Sequence, residues 1–252
     1  MAAAQPAFVP PAGVAGQAVY VARGFSAVTR LRARRGPLPV HRHGGNGRVY
    51  VRTWLPAGGD RVPAAVILAH HGGFGHGGLL AGLAVWLTRP DAPVPLAVVT
   101  LDAMSHGRSE RLDGRFGYYE SMDDLTANVR RVADAVVRRE WPTAPLFVLA
   151  ESAGATVLLS MAPRLRTMAG MLAAFEALWG ALERVDVPLL VLHGDEDGRV
   201  ELDKSEALVR RAAAADKRLD VLPGARHMLL LDRPEVTRDV MARIEAWVGE
   251  RV

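Results

Sequence analysis

Ser152 lies between an apolar run, Pro145 to Ala150 (PLFVLA), and a helical stretch that opens at Gly154. The segment Ala150-Glu151-Ser152-Ala153-Gly154-Ala155 is close to G-x-S-x-G, a tight strand-to-helix turn that lifts a serine Oγ above a sheet. Small neighbours are required there because the helix returns close against its own strand, and Ala150 in place of the first glycine meets that need. A serine heading a helix is equally an ordinary N-cap, so a nucleophile needs a base and an oriented acid beside it. His227 follows the strand-like Leu219 to Leu222 and a Pro223-Gly224 turn, and Asp197 follows Pro188 to Leu192 in the stretch HGDEDGRV. The order Ser, Asp, His, each at a strand's carboxyl end, suits acyl transfer through an acyl-serine. The oxyanion of such a reaction needs two fixed N–H donors. Ala153, next to the nucleophile, supplies one. Gly73, in the glycine loop HGGFGHGG, supplies the other, since a side chain there would block approach.

These residues need elements to hold them. Val49 to Trp54 alternates as a strand, and Ala64 to His70 and Pro95 to Leu101 are apolar runs suited to strands buried on both faces. Leu79, Leu83 and Leu87 have helical spacing. Ser121 with Asp124 forms a capping box before a helix lined by Leu125, Val129, Val132 and Val136. Gly154 to Met161 and Leu202 to Ala214 read as helices, and a last helix has Asp232 as N-cap, Pro234 in its first turn and an end near Trp247. Strands alternating with helices predict one mostly parallel, doubly covered α/β sheet, with its chemistry at the strands' carboxyl ends.

The chain has 252 residues, 50% hydrophobic and 23% charged, without cysteine, which excludes disulfides, a thiolate nucleophile and Cys-ligated metal. No apolar run reaches the length of a bilayer span. The net charge of +4 is uneven: residues 1–59 hold eight arginines and no acid, and the remainder is net acidic. A nucleic-acid partner is not expected, for no basic face interleaved with aromatics is present. The Ala, Gly, Pro and Arg bias of residues 1–39 fits either an organelle transit segment or a solvated edge strand. We therefore expect an extension over 1–47 and a single domain over 48–252, in the cytoplasm, or in a plastid or mitochondrion if the segment is cleaved. His41, His43, His70, His71 and His76 lack acidic partners at ligand spacing, so they read as solvated loop and no metal is expected. Glu151 reads as an outward or pocket-rim residue.

Four motifs together resemble the α/β-hydrolase superfamily, most closely its monoacylglycerol lipase and lysophospholipase group. They are His71-Gly72-Gly73-Phe74-Gly75-His76; Asp102-Ala103-Met104-Ser105-His106-Gly107-Arg108-Ser109; His193, Gly194, Asp197, Val200 and Ser205; and Gly224 to His227. His70-His71-Gly72-Gly73-Phe74 also resembles the H-G-G-G-F of hormone-sensitive-lipase-like esterases. The resemblance covers roughly 48–252 and implies an α/β-hydrolase fold, Ser152, Asp197 and His227 as triad, Gly73 and Ala153 as oxyanion donors, and no cofactor. It implies a small ester substrate and, through a cap, transient contact with a membrane surface. Ser105 stands where the group usually has Gly. The span from Ser152 to Asp197 is too short for a full cap, leaving Met168 to Val185 as either a sixth strand with a short helix or one lid helix carrying Met168, Met171, Leu172, Phe175 and Trp179. Thioesterases, acyltransferases and peptidases share the fold, and a hydrolase-like binding module without activity is the reading from another class.

Overall fold

The computed structural model describes residues 38–42, 45–57, 61–119, 121–160 and 179–252. Among them run seven strands: β1 Leu38–Arg42, β2 Gly45–Trp54, β3 Ala65–His70, β4 Leu96–Asp102, β5 Leu146–Ala150, β6 Leu189–Gly194 and β7 Lys217–Leu222. The α-helices are α1 Ala81–Leu87, α2 Met122–Val132, α3 Ala153–Leu159, α4 Leu202–Arg211 and α5 Pro234–Gly249. β3 and β4 are buried from end to end, as their unbroken apolar runs require. Their side chains alternate between two cores. Val66 and Leu68 face α2 and α3, packing with Leu125, Val129 and Val157. Ile67 and Ala69 face α1 and α5, packing with Leu83, Val240 and Ile244. α2 starts where its capping serine says it should, with Ser121 Oγ accepting the Asp124 N–H at 3.1 Å.

The sheet order is β1-β2-β4-β3-β5, with β3 parallel to β4 and β5 and the β1 and β2 pairings antiparallel. β6 and β7 form a separate parallel pair. This departs from the single sheet expected, because among the described residues no ladder joins β5 to β6. Helix α5 makes the connection instead. Its Val236, Val240 and Ile244 share one core with Ile67 and Leu83 beneath the larger sheet and with Leu222 and Ala225 at the end of β7. Arg89 at the end of α1 clamps α5 through two bonds to Glu245, at 2.7 and 3.1 Å. The two sheets are therefore held in register by packing.

Two boundaries differ from the sequence reading. The described sheet begins at Leu38, ahead of residue 48, because LPVHR becomes a strand only by pairing with β2, Leu38 opposite Val49 and Arg42 opposite Gly45. The N-cap of α5 is Arg233, and Asp232 turns back to accept the N–H groups of Arg226 and Arg233 at 2.7 and 2.6 Å. The sixth-strand and lid readings of Met168 to Val185 fall mostly outside the described residues, as does the transit reading up to residue 37. At the described end of that stretch, Leu182 and Val185 are buried with Ala212, and the Trp179 ring lies between Lys204 and Arg211 of α4.

Candidate active site

The turn from β5 into α3 puts Ser152 at φ 52° and ψ −127°, a backbone region that non-glycine residues rarely occupy. Its side chain makes no capping bond to α3, so the ordinary N-cap role is not the one it fills. The turn closes tightly: a Cβ on Gly154 would lie 2.5 Å from the His71 carbonyl oxygen, which only glycine permits. Ser152 Oγ lies 2.9 Å from His227 Nε2, and His227 Nδ1 lies 2.8 Å from Asp197 Oδ2. The three residues named from strand ends thus form one hydrogen-bonded chain, although they come from two sheets.

Asp197 is aimed by its own turn. Its Oδ1 accepts the N–H groups of Arg199 and Val200 at 2.8 and 3.0 Å, which leaves Oδ2 for the imidazole. Burial pushes its carboxyl up, but hydrogen bonds from His227, Arg199 and Val200 outweigh that and hold it below the usual aspartate value. It is an anion beside the histidine at neutral pH. His193 supports the same turn, with Nε2 at 3.1 Å from the Val200 carbonyl and Nδ1 at 2.7 Å from Ser205 Oγ. Asp195, two residues earlier, accepts the Gly224 N–H at 2.6 Å and serves the turn before His227. Asp232 pins the same loop from the other side, and composition alone offered no signal for that role.

The loop after β3 lies directly against the serine. A Cβ on Gly72 would meet Ser152 Cβ at 3.2 Å, and one on Gly73 would meet Ala153 Cβ at 3.6 Å. Gly73 and Ala153 are therefore neighbours across the mouth of the turn. His70 and His71, read from sequence as solvated, are instead 4% and 2% exposed, because the loop folds back over the strand ends. His71 Nδ1–H donates to the Gly72 carbonyl at 2.7 Å and Nε2 accepts the Ala103 N–H at 2.9 Å, which fixes a neutral ring. Burial lowers His71 to about 3 and His70 to about 4. Of the outward and pocket-rim positions expected for Glu151, the outward one does not hold: its Oε1 is buried without a hydrogen-bond partner, and burial raises its carboxyl against the pull of His227 and the Leu230 N–H.

The neutral histidines have a consequence for stability. Unfolded, both rings take up protons as pH falls through 6.5; folded, they stay neutral down to about 4 and about 3. Stability is thus fully present above 6.5 and is lost on acidification through that window, by up to about 1.4 kcal/mol per pH unit for each ring. Urea unfolding at pH 7 and pH 5 checks this: the midpoint should be clearly lower at pH 5, and equal midpoints would refute buried neutral rings.

A family model described as serine aminopeptidase, S33, matches residues 61–164 and 157–234. The chain belongs to the serine aminopeptidase S33 family. This S33 chain is 25% identical to the monoglyceride lipase of Homo sapiens over 81% of its own length and 87% of that relative. The alignment runs over 277 positions, more than this chain's 252 residues, so the relative carries insertions that this S33 chain lacks. Among solved structures it is similar to a soluble variant of monoglyceride lipase from Saccharomyces cerevisiae, in complex with a substrate analog. That likeness has TM-score 0.67, 16% identity and coverage of 88% of this chain and 97% of the other. Est1E from Butyrivibrio proteoclasticus, bound to ferulic acid, gives TM-score 0.65 at 14% identity, covering 85% and 98%. The fold is the α/β-hydrolase fold. No described helix is long and apolar enough to cross a membrane, and no described group of three His, Asp or Glu residues could hold a metal ion.

Proposed function

We propose that this protein is a serine hydrolase of small lipophilic carboxylic esters, acylglycerols among them. The observation that carries the reading is the hydrogen-bonded chain from Ser152 Oγ through His227 to an ionised Asp197. Ser152 attacks the ester carbonyl while His227 Nε2 takes its proton, and Asp197 steadies the imidazolium that forms. The N–H groups of Gly73 and Ala153 receive the oxyanion. Collapse of the tetrahedral intermediate expels the alcohol, which takes the proton from His227 and leaves an acyl-serine. Water then repeats the sequence and frees the acid. The names of the monoglyceride lipase relatives support an ester over an amide bond.

A fluorophosphonate probe tests the reading. Intact mass should show one adduct, located on the Ser152 peptide and absent from Ser152→Ala. A folded protein that stays unlabelled would be a binding module with a hydrolase fold.

The short span between Ser152 and Asp197 has its own consequence. A capped lipase encloses a long acyl chain, and that burial is worth about 0.8 kcal/mol per methylene. With a short span between Ser152 and Asp197, fewer methylenes are covered. We expect kcat/KM on p-nitrophenyl esters to peak at short or medium acyl chains and decline toward palmitoyl; a steady rise to palmitoyl would mean that a tunnel is built after all.

A further inference from the structure

Phe74 follows Gly73 on the loop that touches Ser152. Its backbone has φ 57°, a strained conformation for a bulky residue, yet the residue is 74% exposed. Burial therefore gives little in return for the strain, which is the pattern of a residue kept for the site. Its neighbour is Phe116, itself 50% exposed, with the ring centroids 6.3 Å apart and the planes tilted by 36°. Behind Phe116 stands the ring of His106 at 5.4 Å, fixed by a 2.8 Å bond between Nδ1 and the Met104 carbonyl. Gly117, at φ 70°, lies under Phe74, where a Cβ would come within 2.9 Å of the ring. Ser105 ties the strap together: its carbonyl accepts the Gly117 N–H and its Oγ accepts the Leu112 N–H, both at 2.9 Å. The result is a fixed shelf of two tilted rings, open to solvent, beside the reacting centre.

We propose that Phe74 and Phe116 form a subsite for a planar aromatic ring carried by the ester. The inference rests on the ester-hydrolase reading above and specifies its substrate class. The Arg111 guanidinium lies over the Phe116 ring at 5.9 Å, and Glu110, Asp113 and Arg115 are near it in the chain, so the two rings make a small patch among charges of both signs. Such a patch suits one ring of a small molecule, whereas protein or membrane footprints are far larger. An open shelf also cannot enclose an alkyl chain, while its two exposed aromatic residues can accept a flat ring in stacked or edge-on geometry.

Ring esters matched in size and shape provide the test. One pair is methyl 3-phenylpropanoate against methyl 3-cyclohexylpropanoate, with the ring on the acyl side. The other is benzyl acetate against cyclohexylmethyl acetate, with the ring on the alcohol side. Cyclohexyl is the more hydrophobic partner, so plain burial would favour it. In at least one pair kcat/KM should favour the aromatic ester by about two- to tenfold, the range of one aromatic contact. Phe74→Leu and Phe116→Leu, which keep apolar bulk at exposed positions, should bring that ratio to about one. The pair that responds identifies the side on which the ring sits. Equal or better turnover of the cyclohexyl esters in both pairs, or a preference that survives both substitutions, overturns the subsite. If Ser152 takes the fluorophosphonate label under those results, the hydrolase reading stands alone; if it neither labels nor turns over any ester, both fall.

Discussion

Ser152→Ala should lower kcat/KM for ester hydrolysis by a factor on the order of 10⁴ to 10⁶ and leave the protein folded. The size of the effect follows from the proposed role. Without Oγ no acyl-enzyme can form, and His227 has no proton to take, so only the oxyanion donors and substrate binding remain. Folding should be spared because Oγ makes no capping bond to α3 and its partner is the imidazole alone among its described hydrogen bonds. Alanine at φ 52° carries the same backbone strain as serine, so the turn neither gains nor loses by the change. Circular dichroism and thermal unfolding establish that the variant is native, and ester hydrolysis by that material gives the answer. Retention of more than a tenth of the activity would mean that another residue is the nucleophile.

Asp197→Asn should reduce kcat by about 10⁴, while Asp195→Asn should remain within a few-fold of the parent. The turn explains why a near-isosteric change is so damaging. The N–H groups of Arg199 and Val200 need an oxygen opposite them, so the new amide must turn its NH2 toward His227 Nδ1. To accept from that NH2 the imidazole must move its proton to Nε2, the atom that faces Ser152. A protonated Nε2 cannot take the serine proton. Asp195→Asn, by contrast, keeps a side-chain oxygen able to accept the Gly224 N–H. Steady-state kinetics on both variants at neutral pH decides the matter. Were the two to behave in reverse, Asp195 would be the acid and the role given to Asp197 would fall.

Much of the architecture could be read locally. Ala65–His70 and Leu96–Asp102 are strands because unbroken apolar runs of that length bury themselves between helices. Ser121 starts α2 because its hydroxyl can satisfy an N–H that the helix leaves unpaired. Small residues around Ser152 marked a tight turn for the same local reason, since a helix cannot fold back on its strand past large side chains. Boundaries failed where an element depends on a distant partner. LPVHR carries no strand pattern of its own, and its ladder to β2 makes it one. Asp232 read as an N-cap because the helix follows it, but the loop it secures through Arg226 is invisible in a window of a few residues.

The sequence by itself determined the order of the strands and helices from β2 onward and which chemically capable residues stand at strand ends, because both depend on short-range patterns of size and hydrophobicity. Asp197 was named from the sequence, but only tertiary structure shows how it is aimed: the Arg199 and Val200 N–H groups hold Oδ1 and leave Oδ2 for His227. Tertiary structure decided that His70 and His71 are buried and neutral, because desolvation depends on what folds over them. It also decided that two sheets without a described ladder between them keep Ser152 and His227 2.9 Å apart. The apolar face of α5 packs against both, and only a three-dimensional core can transmit that constraint.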